Sequence, residues 1–151
     1  MSGPESTVGG SGLPGDREDW VRASFSRQGF LQGFGARIVE LAPGRCEIEM
    51  PFSDAVTQQQ GFFHGGAIGA LADSAGGYAA MTLAPEGAEV LTLEYKINFL
   101  RPASGDALVA IGEVLRAGRS VIVTRVDVYV RRGHQRRHCA AVQQSIAPAK
   151  A

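Results

Sequence analysis

Six stretches of the chain have strand-like sequences, and three of them show the alternation of apolar and polar residues that is typical of half-buried β-strands. In the clearest, residues 46–52, apolar residues alternate with Glu47 and Glu49, and we expect the face that carries the glutamates to be wet. Short segments containing Gly or Pro separate the stretches and indicate turns. The predicted strands are residues 36–41, 46–52, 89–100, 107–116, 120–131 and 135–146.

Two helices are predicted. A long run of small and apolar residues over 65–83 predicts a helix that stops before Pro85. A shorter helix is predicted over 17–28, with Asp16 as its N-cap and Gly29 at its end. Two strands, a central helix and four further strands predict an α+β fold in which one antiparallel sheet wraps around the central helix. The residues of the short helix expected to face the body are Trp20, Ala23 and Phe25.

Two of the predicted strands have an apolar face long enough to cover a helix. Side chains of a strand point alternately to its two faces, so every second residue shares a face. We expect both apolar faces to lie against the central helix. They consist of Leu91, Leu93, Tyr95, Ile97 and Phe99 in one strand and of Ile122, Val126, Val128 and Val130 in the other.

Length and composition favour one domain. With 151 residues and 44% hydrophobic content, the chain can fill a single core, which we expect over residues 16–151. Ten of the first 15 residues are Gly, Ser or Pro, so residues 1–15 have too little apolar surface to offset the entropy of ordering. They are expected to form a disordered tail.

The charge balance and the few cysteines restrict which binding partners and which cellular compartment we expect. Fifteen Lys and Arg balance 15 Asp and Glu, which gives no reason to expect a nucleic-acid or membrane partner. Cys46 and Cys139 both lie in alternating apolar stretches and indicate packing rather than a disulfide framework. No signal sequence and no apolar run of about 20 residues is found, so we expect a cytoplasmic protein.

The clearest chemistry lies in residues 58–66, with the sequence QQQGFFHGG, directly before the central helix. The first turn of a helix has backbone N–H groups without internal acceptors, and these can hold a developing oxyanion. The helix itself carries a single acid, Asp73, which is the only acid between Asp54 and Glu86. The combination indicates acyl chemistry.

Three motifs carry a resemblance to a known family: GFFHGG at 61–66, LAD at 71–73 with GYAA at 77–80, and KINFLRPA at 96–103. Together they resemble the hotdog-fold acyl-CoA thioesterases of the phenylacetate-degradation type, over roughly residues 30–146. The resemblance implies a sheet wrapped around the helix and dimers that share a continuous sheet. It also implies hydrolysis of an acyl-CoA thioester without a metal or organic cofactor.

The spacing of the two central groups predicts an oligomer. Gly65 and Asp73 are eight residues apart on one helix, so their backbones lie about 12 Å from each other at ~1.5 Å per residue. Both can reach one substrate only if two copies place these helices antiparallel about a twofold axis. By helical phase, Asp73 points away from the stripe that carries Ile68 and Leu71 and can face a neighbour. A dimer, with dimers pairing into tetramers, is the expected assembly.

We assign the following expected roles at this shared site. The Gly65 N–H holds the thioester oxygen, and Gly66 lets the substrate approach the backbone closely. Asp73 acts as general base on water or as a nucleophile, and His64 orients the loop or bonds to the departing thiolate. The resemblance further implies that Gln58 helps to hold the carbonyl or water, with Gln59 and Gln60 as alternatives. It also implies that Thr92 places water beside the acid, although alternation puts Thr92 on the polar face of its strand.

Other residues are candidates for binding the two ends of the substrate. Arg101 and Arg119 are candidates for the CoA phosphates, because guanidinium groups suit phosphate oxygens. Seven arginines against one acid between positions 116 and 138 add to this possibility, and solvated hairpin arginines are the alternative. His134, His138 and Cys139 are not expected to converge on a metal. The plausible acyl-pocket residues are Phe62, Phe63, Leu71 and Tyr78.

Two other functions are compatible with the fold: a hotdog dehydratase or hydratase acting on acyl thioesters, and a non-catalytic acyl-CoA-binding protein. Both aryl-acyl and medium-chain acyl-CoA fit the sequence as thioesterase substrates. Release of free CoA thiol distinguishes hydrolysis from hydration, and loss of turnover in Asp73→Asn distinguishes an enzyme from a binding protein.

Overall fold

The structure is a computed structural model that describes residues 12–150, without the side chain of Lys150. Residues 1–11, which make up most of the predicted tail, and residue 151 lie outside the described residues. Both predicted helices and all six predicted strands are present. The elements are α1 (Gly15–Ser26), α2 (Gly29–Gly33), β1 (Arg37–Ala42), β2 (Arg45–Pro51), α3 (Gly65–Met81), β3 (Ala88–Phe99), β4 (Ala107–Ala117), β5 (Ile122–Arg132) and β6 (Gln135–Lys150).

The six strands form one antiparallel sheet in the order β1-β2-β4-β5-β6-β3. Strands β1 and β3 are its edges. Helix α3 packs against the five strands β2 to β6, and its buried residues are part of the main core cluster. The predicted α+β fold, a sheet wrapped around a central helix, is confirmed.

Small residues let the sheet approach α3 closely. Ala72, Ala75 and Ala79 are fully buried along the helix. A Cβ atom at Gly112 of β4 would overlap the backbone carbonyl of Ala75. The helix and the middle of the sheet are therefore in backbone contact, which explains why α3 is rich in alanine and glycine.

Strand β3 contains a β-bulge that the sequence pattern did not indicate. Thr92 pairs with Ile146 and Glu94 pairs with Ser145, so Leu93 is an extra residue on β3. One extra residue reverses the alternation of faces. Before the bulge the even-numbered residues face the helix side of the sheet, and after it the odd-numbered residues do.

The prediction of a single apolar face along β3 was therefore wrong. Ile97 packs against the core, and Tyr95 and Phe99 lie beside α3. Leu91 and Leu93 are 63% and 61% exposed. The corresponding prediction for β5 is confirmed, since the four residues predicted to share its apolar face are all buried.

The N-terminal helices differ in detail from the prediction. The N-cap position of α1 is occupied by Pro14, and Asp16 lies in the first turn, where it accepts a bond from the Arg17 N–H. Gln28 is extended, so α1 ends before it, and Gly29 begins the short helix α2, which was not predicted. None of the helices described is long and apolar enough to span a membrane. The buried residues of α1 are Val21 and Phe25, whereas Trp20 is half-buried and Ala23 is exposed.

The predicted wet face of β2 is also corrected. Glu47 is buried, because the guanidinium groups of Arg136 and Arg45 cover its carboxylate at 2.7 and 3.6 Å. Phe52, predicted to continue the apolar face, follows the end of β2 and is exposed. Long arginine side chains can cover a strand face that would otherwise be open to water.

Candidate active site

The first turn of α3 offers one unused backbone donor. His64 is the N-cap residue, and its Nδ1 accepts a hydrogen bond from the Gly66 N–H at 2.7 Å. The Gly65 N–H donates to no atom of residues 12–150. Because the helix dipole adds positive potential at this end, the Gly65 N–H can bind a negatively charged oxygen.

The cap also defines the state of His64. An Nδ1 atom that accepts a hydrogen bond carries no proton, so a neutral His64 has its proton on Nε2. The side chain of His64 is exposed, and that Nε2–H is open to a ligand. His64 therefore caps the start of α3, and its two predicted roles, orienting the loop and bonding to the departing thiolate, stay predictions.

A cleft of about 480 Å³ lies in front of the Gly65 amide, and we call it the amide cleft. Gln58 and Gln60 line it, and Gln59 does not. The side-chain oxygen of Gln58 accepts bonds from the backbone N–H groups of Gln60 and Phe62, so Gln58 also shapes the loop. Phe63 lines the cleft and packs its ring edge-on against Phe52.

Asp73, on the same helix, is held by two side-chain donors. Thr92 Oγ1 donates to Asp73 Oδ1 at 2.6 Å, and Gln144 Nε2 donates to the same oxygen at 2.8 Å. The second carboxylate oxygen, Oδ2, has no hydrogen-bond partner within the described chain. The structure thus fixes one oxygen of the acid and leaves the other available.

This arrangement corrects the expected direction of Asp73. The helical phase suggested that it points away from the sheet, but it contacts β3 through Thr92 and β6 through Gln144. The sheet curves far enough around α3 to reach this side of the helix. The bulge at Leu93 turns Thr92 inward, and this resolves the conflict between the alternation and the resemblance at Thr92.

Gln144 belongs to a buried polar chain that sequence reasoning missed. Its Oε1 accepts a bond of 2.7 Å from Thr124 Oγ1, and neither side chain is more than 1% exposed. Both residues occupy positions in their strands whose neighbours two residues away are buried and apolar. Two polar residues on an apolar face were the signal that could have revealed this chain.

A second cleft, of about 360 Å³, opens beside Asp73, and we call it the acid cleft. Tyr78 lines it, and its hydroxyl accepts a bond of 2.9 Å from Gln28 Nε2 and lies 3.3 Å from Ser24 Oγ. Burial raises the pKa of Tyr78, although these hydrogen bonds oppose the shift, so its hydroxyl stays protonated. Residues of α1 therefore line the cleft together with α3 and β3.

The structure places the predicted site residues in two groups. Gln58, His64, Gly65, Gly66, Phe63 and Arg101 lie at the start of α3. Asp73 lies about two turns and Tyr78 about three and a half turns further along the helix, and Thr92 of β3 bonds to Asp73. Arg119 lies in the turn between β4 and β5, lines neither cleft and is exposed. One chain therefore carries both halves of the predicted site without joining them.

Metal and thiol chemistry receive no support from the side chains. No group of three or more His, Cys, Asp or Glu within residues 12–150 is arranged to hold a metal ion. Cys46 and Cys139 are free and buried. Burial raises the pKa of Cys46 to about 12 and that of Cys139 to about 11, so neither thiol is a ready nucleophile.

Comparisons with known proteins identify the family and the fold of the chain. Residues 60–136 match the thioesterase superfamily. A crystal structure of a thioesterase family protein from Silicibacter pomeroyi superposes with a TM-score of 0.87 at 41% identity, covering 89% of this chain and 99% of that one. The PaaI protein from the phenylacetic acid degradation operon of E. coli, at 21% identity, has the same fold with a TM-score of 0.81 over 92% of this chain and 97% of that one.

A relative from Saccharolobus solfataricus, provisionally named an esterase, is 36% identical over 91 residues. That match covers 60% of this chain and 64% of the relative. The chain belongs to the thioesterase superfamily. It has the hotdog fold and is a thioester hydrolase, as its motifs indicated.

Proposed function

We propose that this protein is an acyl-CoA thioesterase that works as a homodimer, with each active site shared between two subunits. The observation that carries the proposal is the separation of two complementary groups on α3. The Gly65 N–H lacks an acceptor within residues 12–150, and Asp73 has one free carboxylate oxygen. Their backbones are about 12 Å apart along a continuous helix, so a second copy must complete each site.

The exposed surface of β3 supports a second copy as the partner. β3 is a 12-residue edge strand, and Leu91, Leu93 and Phe99 are all more than half exposed. Long apolar edge strands tend to pair with another strand. Pairing of β3 with its counterpart would extend the sheet across a twofold axis and lay the two α3 helices antiparallel. Association of dimers into tetramers is part of the same proposal.

The proposed reaction uses each group in turn. The thioester carbonyl oxygen accepts a bond from the Gly65 N–H, and Asp73 of the partner subunit takes a proton from the attacking water. The oxyanion of the tetrahedral intermediate is stabilised by the same N–H and by the helix dipole. The intermediate then collapses, the C–S bond breaks, and the CoA thiolate leaves and is protonated.

The acid has a second possible role that can be tested directly. If Asp73 attacks the carbonyl itself, an acyl–Asp73 anhydride forms before water enters. Trapping with hydroxylamine and mass spectrometry of the peptide that contains Asp73 would detect that intermediate. The same preparation, assayed with a panel of aryl-acyl and medium-chain acyl-CoA esters, defines the acyl group that the acid cleft accepts.

The decisive experiment is complementation between two inactive variants. Asp73→Asn removes the acid. Gly65→Pro removes the N–H donor at a position whose backbone suits proline, because it is the first helical position and His64, at φ −63 and ψ 137, already has the backbone that precedes proline. The Cβ that it adds lies 3.0 Å from the Phe99 ring, which must shift slightly, so Gly65→Ala, which adds the Cβ and keeps the N–H, is measured beside it. Asp73→Asn and Gly65→Pro alone are each expected to lose roughly 10²-fold or more in kcat. Melting temperature and dimer mass, measured for each variant, should match the wild type.

Mixing and subunit exchange should then restore activity. About half of the dimers contain one chain of each variant, and each has one intact site, so activity returns to roughly a quarter of the wild-type value. Mixing Asp73→Asn with the double variant Asp73→Asn/Gly65→Pro is the control and should restore nothing. A mixture no more active than its components would refute the shared site.

A further inference from the structure

Two further features of the structure each support an inference: a cleft lined by arginines, and a buried chain of polar side chains that ends at Asp73. The first is a cleft of about 290 Å³ between the loop that follows β3 and the hairpin that joins β5 to β6. Arg101, Arg132 and Arg137 line it together with Ser104 and Gln135, and no acidic residue does. We call it the arginine cleft.

The arginines of this region divide into two groups. Arg125, Arg131 and Arg136 lie within 2.7 to 3.1 Å of carboxylate oxygens on the outer face of the sheet. In contrast, Arg132 bonds only to Ser104, and Arg101 and Arg137 make no ion pair within residues 12–150. The nearby carboxylate of Asp106 is engaged by the Gly133 N–H at 2.8 Å.

Three guanidinium groups line one cleft with no acidic residue in its lining, and an anion bound there would offset their mutual repulsion. Their forked donors match the oxygens of a phosphate, to which they form charge-assisted hydrogen bonds. The arginine cleft also shares Arg101 and Pro102 with the amide cleft. A ligand whose carbonyl lies at Gly65 can therefore extend along one surface to the arginines.

We propose that the arginine cleft binds the phosphate groups at the nucleotide end of coenzyme A. This inference rests on the proposed function and adds to it the residues of this chain that hold the nucleotide end of the carrier. Pantetheine alone, or pantetheine attached to a carrier protein, lacks the 3′-phosphate and the adenosine diphosphate of CoA. The unpaired arginines thus select acyl-CoA over the same acyl group on other carriers.

The test compares one acyl group on four carriers: CoA, dephospho-CoA, pantetheine and a phosphopantetheinylated carrier protein. In the wild type, kcat/KM should be highest for CoA. The variants Arg137→Gln and Arg132→Gln/Arg137→Gln should raise KM for acyl-CoA roughly tenfold or more, because each removes charge-assisted bonds. Hydrolysis of the acyl-pantetheine should be unchanged in both variants.

Arg116→Gln, an exposed arginine at the opposite end of the sheet, is the matched control and should alter neither substrate. Equal losses on acyl-CoA and acyl-pantetheine, no loss on acyl-CoA, or faster hydrolysis of the acyl-carrier protein would each overturn the inference. A KM increase for acyl-CoA in Arg119→Gln alone would move the phosphates to the other end of the sheet and overturn it as well. Failure of the wild type to hydrolyse any of the four would instead refute the proposed function.

The second inference concerns the buried chain from Thr124 through Gln144 to Asp73. The orientation of the Gln144 amide follows from its partners, because only the NH₂ group can face an ionised carboxylate. Gly76 makes room for it: a Cβ atom there would overlap Gln144 Oε1 and lie 2.8 Å from Thr124 Oγ1. A glycine in mid-helix is less favourable than alanine, and here it accommodates the amide.

We infer that Gln144 is a positioning residue for the proposed catalytic acid, and that Thr124 holds the amide in place. Binding of Oδ1 by Gln144 limits rotation of the carboxylate and keeps Oδ2 directed to the cleft. Gln144 touches no substrate, so its loss should lower kcat and leave KM unchanged. Like the first inference, this one rests on the proposed function, and Asp73→Asn must be inactive for it to apply.

Nearly isosteric replacements test the chain without emptying the core. Gln144→Glu replaces the amide donor with a carboxyl group that must repel Asp73 or share a proton with it, and should lower kcat at least tenfold with KM within twofold. Thr124→Val should lower kcat several-fold, whereas Thr124→Ser, which keeps the hydroxyl, should restore it. Gln143→Glu, the exposed neighbour, is the control and should behave as wild type.

Two outcomes would overturn this inference. One is Gln144→Glu with wild-type kcat and an unchanged melting temperature. The other, decisive if Gln144→Glu fails to fold, is Thr124→Val and Thr124→Ser with equal kcat. Full activity of Asp73→Asn would remove the acid itself from the mechanism and so refute the proposed function instead.

Discussion

Strands β3 and β5 have similar lengths and similar apolar alternation, yet they differ in what covers their apolar side chains. The four predicted core residues of β5 are at most 4% exposed, because β5 lies between β4 and β6 with α3 across its face. In β3, Leu91 and Leu93 are more than 60% exposed, and one edge of the strand is unpaired within the described chain. An apolar pattern predicts that a face will be covered, but it does not say whether the cover comes from the same chain.

The largest expected effect is on folding stability, and it distinguishes the two strands when one aspartate is introduced into each. Val128→Asp in β5 places an unpaired carboxylate in the core and should lower the free energy of unfolding by more than about 4 kcal/mol, enough to unfold a marginal domain. Leu93→Asp in β3 places the same charge on the surface of one chain and should leave the fold intact. Circular dichroism during thermal unfolding measures both, and unfolding of Leu93→Asp would remove the distinction.

Leu93→Asp should also dissociate the protein and abolish hydrolysis, since charges on an edge strand block pairing and each site needs two chains. We expect monomers by light scattering at micromolar concentration and a loss of kcat/KM of roughly 10²-fold or more. Val39→Asp is the matched control, because Val39 is an exposed apolar bulge residue on the other edge strand, β1. Dissociation by Val39→Asp rather than by Leu93→Asp would assign the interface to β1.

Thr92→Val examines the inward-facing residue of β3 that lies directly before the bulge and contacts Asp73. It removes the 2.6 Å bond to Asp73 Oδ1 and should lower kcat roughly tenfold or more, the range expected for a hydrogen bond to a charged group. The loss should exceed that of Thr124→Val in β5, which reaches the acid only through Gln144. Thr92→Ser should retain most of the activity. Equal kcat for Thr92→Val and wild type would show that the bulge has no role in catalysis.

The smallest expected effect concerns cysteine reactivity, which should be absent in the native wild type and in native Leu93→Asp alike. Burial raises the pKa of Cys46 to about 12 and that of Cys139 to about 11, so both stay protonated and unreactive at pH 8. A thiol reagent should count no cysteine in the native wild type or in Leu93→Asp, and two after denaturation. A reactive cysteine in native Leu93→Asp would show that loss of the partner opens the core. The same result lets the reagent follow released CoA without background from the protein.

The sequence was sufficient for the order of the elements and for most of their bounds, because β-branched alternation, glycine turns and a small-residue helix are local signals. It was not sufficient for the bulge at Leu93, which depends on pairing between β3 and β6. For that reason the inward position of Thr92 conflicted with the alternation until the strands were seen paired. Helix α2 was missed because five residues are too short to show a helical period.

In the candidate site, too, local sequence signals were sufficient for some residues, whereas others depend on contacts between distant parts of the chain. His64, Gly65 and Asp73 were found from local spacing, and the helix geometry that separates them followed from a rise of ~1.5 Å per residue. Gln144 and Thr124 were missed because their importance lies in contacts across 71 and 20 positions of the chain, between α3, β5 and β6. The sorting of arginines into paired and unpaired groups likewise required the acids on β2 and β5 to be placed beside them.

Gly76 has a consequence for the divergence of this fold. The volume that its missing Cβ leaves is filled by the end of the Gln144 side chain, so the two positions share one fixed space although they are 68 residues apart. A relative that acquires alanine at position 76 can keep a tight interior only if the residue at position 144 becomes shorter. Substitutions at these two sites should therefore accompany each other among homologous chains, and each alone should be rare.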